Sequence, residues 1–170
     1  MEETSLARIL NFGSLNLDQV YRVDSFVQPG ETKLSRSLET HCGGKGLNQS
    51  VAAARAGASV WHAGVLGCDG ERLLDKLVEN SVDVSLLEHS EGVSGHAIIQ
   101  VDDHGQNCIL LFGGTNQALS EAYIDRALAA FGNEGLVLVQ NETNLVGTII
   151  KRAHERGLMV AINAAPMDDK

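Results

Sequence analysis

The sequence predicts an α/β protein built on a mainly parallel sheet, with right-handed crossovers through helices on its faces. Three observations carry that expectation. Apolar runs of the kind buried on both faces of a parallel sheet recur at 8–14 (RILNFGS), 59–66 (SVWHAGVL), 135–140 (GLVLVQ) and 158–163 (LMVAIN). Segments with helical periodicity separate them. Asp18, Glu142 and Asn163 fall at the carboxyl ends of three of these runs, the edge where open parallel sheets bind ligands.

In chain order, 8–14 reads as the first strand, with Leu15-Asn16-Leu17-Asp18 as its exit. The stretch 19–40 alternates at Val-Arg-Val and breaks at Pro29-Gly30, which predicts short exposed strands and a turn, the place for a small flap. A helix follows the glycines at 43–44 and stops at Gly57. After the strand at 59–66, Asp69 is positioned to cap a helix over 70–79, whose Leu73, Leu74, Leu77 and Val78 form one stripe. His62 reads as a core residue.

The segment 94–114 departs from this rhythm. GHAIIQV and NCILLF flank Asp102-Asp103-His104-Gly105-Gln106, a hairpin signal, with Ala97, Ile99 and Val101 on one face and Ile109 and Leu111 able to meet them. Such a hairpin is either the sheet's edge or a lid. Ser120 is an N-cap, with Leu119 and Ile124 in staple positions and Ile124, Ala127, Leu128 and Phe131 on one face. The strand at 135–140 ends at Asn141 and Glu142, and a helix from about 144 to 156 leads to the last strand.

A chain of 170 residues, 44% hydrophobic, can bury one real core. Its net charge of −9 argues against nucleic acid and membrane surfaces as partners. No apolar run approaches the roughly 18 residues of a membrane span, and MEETSLARIL lacks the regions of a signal peptide, so a cytoplasmic location is expected. Cys42, Cys68 and Cys108 form no close pair or zinc spacing and read as reduced thiols; no metal site is expected.

The stretch 41–57 (HCGGKGLNQSVAAARAG) organises the rest. Glycines admit close backbone approach, and a helix N-terminus offers unpaired N–H groups with partial positive charge. This predicts an anion- or hydroxyl-binding helix start, with Asn48 one turn beyond Gly44 facing the same ligand. Gly46 after Lys45 excludes a P-loop, which needs Ser or Thr there. The glycines also lie too far from the first strand for a dinucleotide turn, which leaves a nucleotide-binding oxidoreductase poorly supported.

Taken together, Gly13-Ser14-Leu15-Asn16-Leu17-Asp18, Pro29-Gly30-Glu31-Thr32, Gly43-Gly44-Lys45-Gly46-Leu47-Asn48-Gln49, Gly113-Gly114-Thr115-Asn116, Gln140-Asn141-Glu142 and Asn163-Ala164-Ala165-Pro166 resemble the N-terminal part of the ribokinase-like (PfkB-type) carbohydrate kinases, the ribokinase branch in particular. The resemblance implies a three-layer α/β/α sheet with a small β-lid at about 17–41 and 94–113. Residues 1–170 would be the sugar-binding part of one such domain, incomplete at its C-terminus. It implies that Asn16, Asp18, Gly44, Lys45, Asn48 and Glu142 hydrogen-bond sugar hydroxyls, and that Ala97, Ile99 and Leu111 are the lid's apolar contacts. The implied reaction is transfer of the γ-phosphoryl group of ATP, with Mg2+ and a monovalent cation (K+), to the primary hydroxyl of a sugar, D-ribose giving ribose 5-phosphate.

The family's Gly-Ala-Gly-Asp motif, which supplies the base and anion-stabilising backbone, has no counterpart before Lys170. No catalytic residue is therefore expected in this chain, and the ATP, Mg2+ and K+ sites are expected mainly beyond it. The chain alone should be inactive. A homodimer through the β-lid is expected from the resemblance, and association through the uncovered sheet edge after Asn163 from edge chemistry. Alternatives are a non-catalytic sugar-binding module, or a kinase for another pentose, a nucleoside or a hexose.

Overall fold

The structure, a computed structural model, describes residues 7–167. Residues 1–6, which open the stretch read above for a leader, lie outside the described residues. The chain runs β1 (Arg8–Phe12), β2 (Asn16–Arg22), β3 (Ser37–Gly43), α1 (Lys45–Arg55), β4 (Ser59–Leu66), α2 (Glu71–Glu79), β5 (Leu87–His89), β6 (Gly95–Val101) and β7 (Asn107–Phe112). A 3-10 turn (Gly114–Gln117), α3 (Glu121–Phe131), β8 (Leu136–Gln140), α4 (Val146–Glu155) and β9 (Met159–Asn163) complete it.

Two sheets result. The first is parallel throughout, in the order β5-β4-β1-β8-β9; the second has the order β3-β2-β6-β7, with β2 and β6 parallel and the other two pairs antiparallel. The period-two direction of strand side chains explains the layers. Leu10 and Phe12 on β1, Ala63 and Val65 on β4, and Val137 and Val139 on β8 pack with Ile124, Leu128, Phe131, Ile149 and Ala153 of α3 and α4. Val60 and Leu66 of β4 pack with Leu47, Val51, Leu73 and Leu77 of α1 and α2 on the other face. Each fully buried leucine or phenylalanine contributes about 1.5–3 kcal/mol, so both helix layers are held mainly by this burial.

Most of the helix chemistry read from the sequence holds. Ser120 Oγ accepts from Tyr123 N at 3.1 Å, and Leu119 and Ile124 are both buried. The hairpin has the expected register, Ala97 opposite Leu111 and Ile99 opposite Ile109, and its place is the second sheet.

Three local expectations differ from the structure, and one strand is new. Asn16, Leu17 and Asp18 do not form the exit of β1: they open β2, where Asp18 pairs with His41 and Ala97. Buried Leu15 packs against Leu47 and anchors the crossing between sheets, which lets a new strand begin at once. Asp69 does not cap α2, because its carboxylate accepts from Ser94 N at 2.8 Å and Gly70 stands at the cap. Helix α4 starts at Val146, not 144, since Asn144 spends its side chain on Leu119 N and O. β5 is a three-residue strand beside β4 that had no sequence signal.

Candidate functional site

The site grows from the start of α1. Gly44 has φ 93°, a left-handed conformation natural only to glycine, and this turns the chain from β3 into the helix. A Cβ on Gly46 would collide with Ser14 N and Gly13 Cα, so the first turn of α1 lies directly on the backbone between β1 and β2. The three amides that open the helix then find partners at once: Lys45 N donates to Glu142 Oε2 at 2.9 Å, Gly46 N to Ser14 Oγ at 3.1 Å and Leu47 N to Ser14 O at 2.9 Å.

The helix start therefore does hold an anion, but it is the chain's own. Glu142, at 6% side-chain exposure, also accepts from Lys45 Nζ at 2.8 Å and from Ser14 Oγ at 2.5 Å. Burial pushes the Glu142 carboxyl up, yet the hydrogen bonds of Lys45 and Ser14 outweigh it and hold the group below its ordinary value. The expectation that these helix amides are open to a ligand is corrected accordingly.

Around this ion pair the structure brings together all nine residues singled out above. Asn16, Asp18, Gly44, Lys45, Asn48 and Glu142, with Ala97, Ile99 and Leu111, line one cavity of about 260 Å3, completed by Ile109 and Pro166. Asn16 and Asp18 share a face because they are two apart on β2. Ala97, Ile99, Ile109 and Leu111 come from the hairpin that continues the same sheet beside β2. Larger cavities of about 520 Å3 beside Gly70 and about 390 Å3 beside Arg72 lack such convergence of amides, carboxylates and an apolar wall, and the convergence is what makes the smaller one the candidate.

The two carboxylates are pushed in opposite directions. Burial, then repulsion from Glu142, raises the Asp18 carboxyl, partly offset by His41 and Lys45. Ionised Asp18 is thus disfavoured in the folded chain, so its contribution to stability is full below 3.8 and is lost as pH rises through the raised folded value. Asp18→Asn is expected to stabilise the chain at pH 7 by up to about 1 kcal/mol, the ceiling for a solvent-accessible charge pair. Urea midpoints should show the gain, which should vanish below about pH 3.8.

Behind the cavity a buried polar chain fixes α1 against the first sheet. Gln140 Nε2 donates to Asn11 Oδ1 (2.8 Å), Asn11 Nδ2 to Ser50 Oγ and Gly46 O (both 2.8 Å), and His62 lies 2.8 Å from Ser50 Oγ and 3.1 Å from Gly13 O. A carbonyl only accepts, so His62 Nε2 carries the proton and Nδ1 accepts from Ser50. Burial pulls His62 down to about 4, against the bond to Gly13, and keeps it neutral at pH 7. Ser14, Asn116 and Pro166 are the site residues that sequence reasoning assigned no role. All three stand in the motifs named above, but the distance in sequence from Ser14 and Asn116 to their partners hid their work.

Among the described residues no group of three His, Cys, Asp or Glu side chains could hold a metal ion, and no helix is long and apolar enough to cross a membrane. The cavity's ammonium, Lys45, is already paired with Glu142. These residues do not fit a metal–triphosphate complex.

Comparison with known proteins places this architecture. A ribokinase of Haemophilus influenzae is 35% identical over 159 residues, covering 91% of this chain and 52% of its own length. A ribokinase of Bacillus subtilis is 34% identical over 168 residues, covering 95% and 56%. The crystal structure of ribokinase from Cryptococcus neoformans in complex with ADP superposes with a TM-score of 0.80 at 34% identity, over 95% of this chain and 50% of that one. The chain spans about half the length of the curated relatives it matches. The family model described as pfkB family carbohydrate kinase matches residues 6–168, which include both sheets and all four α-helices among the described residues, and the chain belongs to that family.

Proposed function

We propose that this chain is the sugar-binding portion of an ATP-dependent carbohydrate kinase whose acceptor is D-ribose, with ribose 5-phosphate as product. The observation that carries the reading is the cavity itself: two carboxylates, two amides and one ammonium face an apolar wall from the hairpin. A pentose offers several hydroxyls, each donor and acceptor, together with C–H faces, and this mixture satisfies both. The similarity to proteins named ribokinase supports ribose over other sugars.

In this reading Asp18 accepts from sugar hydroxyls, while Asn16 and Asn48 add amide hydrogen bonds. Glu142, immobilised by Ser14 and α1, holds Lys45 in place and supplies a second acceptor edge. Ala97, Ile99, Ile109 and Leu111 cover the sugar's apolar face and exclude water that would otherwise compete for the phosphoryl group. ATP with its Mg2+ would supply the phosphoryl group, and no cluster among the described residues holds the metal. A homodimer through β7 is part of the proposal. That free edge strand exposes Ile109, Leu110, Leu111 and Phe112 at 45–68%, and sedimentation at two concentrations tests it.

Calorimetric titration of the 170-residue chain with D-ribose and 2-deoxy-D-ribose, beside Asp18→Asn, tests the site. Binding by the parent chain, lost in a variant that melts no lower, is the expected result. Equal binding by both, or none by the parent, overturns the sugar-site assignment. The same samples assayed with ATP should show no ribose phosphorylation; turnover would place the catalytic base within this chain.

A further inference from the structure

The hydrogen-bond geometry behind the cavity determines which end of the Asn16 side chain meets a ligand. Asn116, in the 3-10 turn, is 3% exposed and reaches the first residues of β2. Leu15 N donates to Asn116 Oδ1 at 2.9 Å. A backbone N–H can only donate, so the oxygen of Asn116 must face it, and the nitrogen must face the other way. That nitrogen lies 2.8 Å from Asn16 Oδ1 and 3.3 Å from Leu15 O. The carbonyl of Leu15 can only accept, which agrees with the same orientation.

The consequence passes to Asn16. Its oxygen is taken by Asn116, which leaves Nδ2, without a partner among the described residues, as the polar end that Asn16 can offer the cavity it lines. Two backbone groups of Leu15, neither of which can change its role, therefore set the polarity of a ligand-facing side chain through one intermediary. Gly95 completes the arrangement: a Cβ there would collide with Asn116 Nδ2 and Asn16 Oδ1, so only a residue without one lets the two amides meet.

We propose that Asn116 is a specificity-setting positioning residue. It holds Asn16 as a hydrogen-bond donor, so that this point of the site selects a ligand atom able to accept. The proposal rests on the sugar-binding reading of the cavity, in which the accepting atom is a hydroxyl oxygen. Asn116→Asp reverses the polarity. A carboxylate at 116 still accepts from Leu15 N, but its second oxygen can only accept, which turns Asn16 over and presents Oδ1 to the cavity.

D-Ribose can adapt to either polarity by rotating a hydroxyl. An analogue with fluorine in place of that hydroxyl can accept weakly but cannot donate. The test titrates 2-deoxy-2-fluoro- and 3-deoxy-3-fluoro-D-ribose, beside D-ribose, into the parent chain, Asn116→Asp and Asn16→Asp. The last variant keeps an acceptor for Asn116 and presents an acceptor to the cavity, and it serves if Asn116→Asp does not fold. At one ring position the ratio of fluoro-sugar to ribose affinity should fall by roughly fivefold or more in the variants, the worth of one hydrogen bond. An unchanged ratio at both positions overturns the proposal; a merely structural role would weaken all three sugars alike.

Side-chain amide exchange read by 15N NMR decides the orientation without any sugar. The Asn116 amide protons should be protected and those of Asn16 open to water in the parent chain, with Asn16 becoming protected in Asn116→Asp. A protected Asn16 amide in the parent sinks the inference even if ribose binds. The expected pattern in a chain that does not bind ribose upholds the geometry and overturns only the sugar reading.

Discussion

Gly46→Ala is expected to cost about 3 kcal/mol, the upper part of the usual range for forcing a methyl into a packed interface. In a chain of this size that lowers the melting temperature by roughly 6–12 °C. The added Cβ would meet Ser14 N and Gly13 Cα. Both are backbone, so no side-chain rotation relieves the clash. Either α1 lifts from the turn between β1 and β2 or that turn moves, and each response breaks the Gly46 N to Ser14 Oγ and Leu47 N to Ser14 O bonds. Alanine has the better helix propensity, so a melting temperature at or above that of the parent would show that α1 does not sit on this backbone.

Glu142→Gln should be the most damaging change to the site that keeps its shape. It removes the charge that Lys45, Ser14 and the first amide of α1 converge on, and a loss of about 2 kcal/mol in stability at pH 7 follows from the usual worth of hydrogen bonds to a charged group. Because the folded carboxyl lies below 4.5, its stabilisation is fully present above 4.5 and is lost as pH falls through the folded value. Urea melts from pH 3 to 7 should therefore show parent and variant converging at the acid end. A constant gap would mean that the charge is not the source. On the proposed sugar-site reading, D-ribose affinity should fall by about tenfold, the worth of one hydrogen bond to a charged group, since Lys45 loses the partner that holds it at the cavity.

These two residues show what could be read in one dimension. The Gly-Gly-Lys-Gly run at the start of α1 was legible because its signal is local: glycines, a lysine and a helix within one turn. The hairpin was legible for the same reason, since alternation and a polar turn are short-range properties. Asp18 reaches the candidate cavity by a route other than the expected one. It was expected beyond the end of β1, and it lies inside β2, where strand alternation sets it beside Asn16. Asp69 was read as a cap because capping residues are common before helices, whereas a contact to Ser94 won it.

The sequence by itself determined the α/β class, the succession of helices and strands apart from β5, and the hairpin at 94–114, through local periodicity and turn chemistry. The family resemblance of its ordered motifs supplied nine of the eleven residues that line the cavity. Only the tertiary structure decided who partners whom inside the site: that the anion on α1 is Glu142, that Ser14 ties it there across 128 positions, and that Asn116 turns Asn16 across 100. The reason is physical. Hydrogen bonds of a few ångströms between residues far apart in the chain exist only after two sheets and a helix have packed, and no pattern within a window of neighbouring residues records which donor will meet which acceptor.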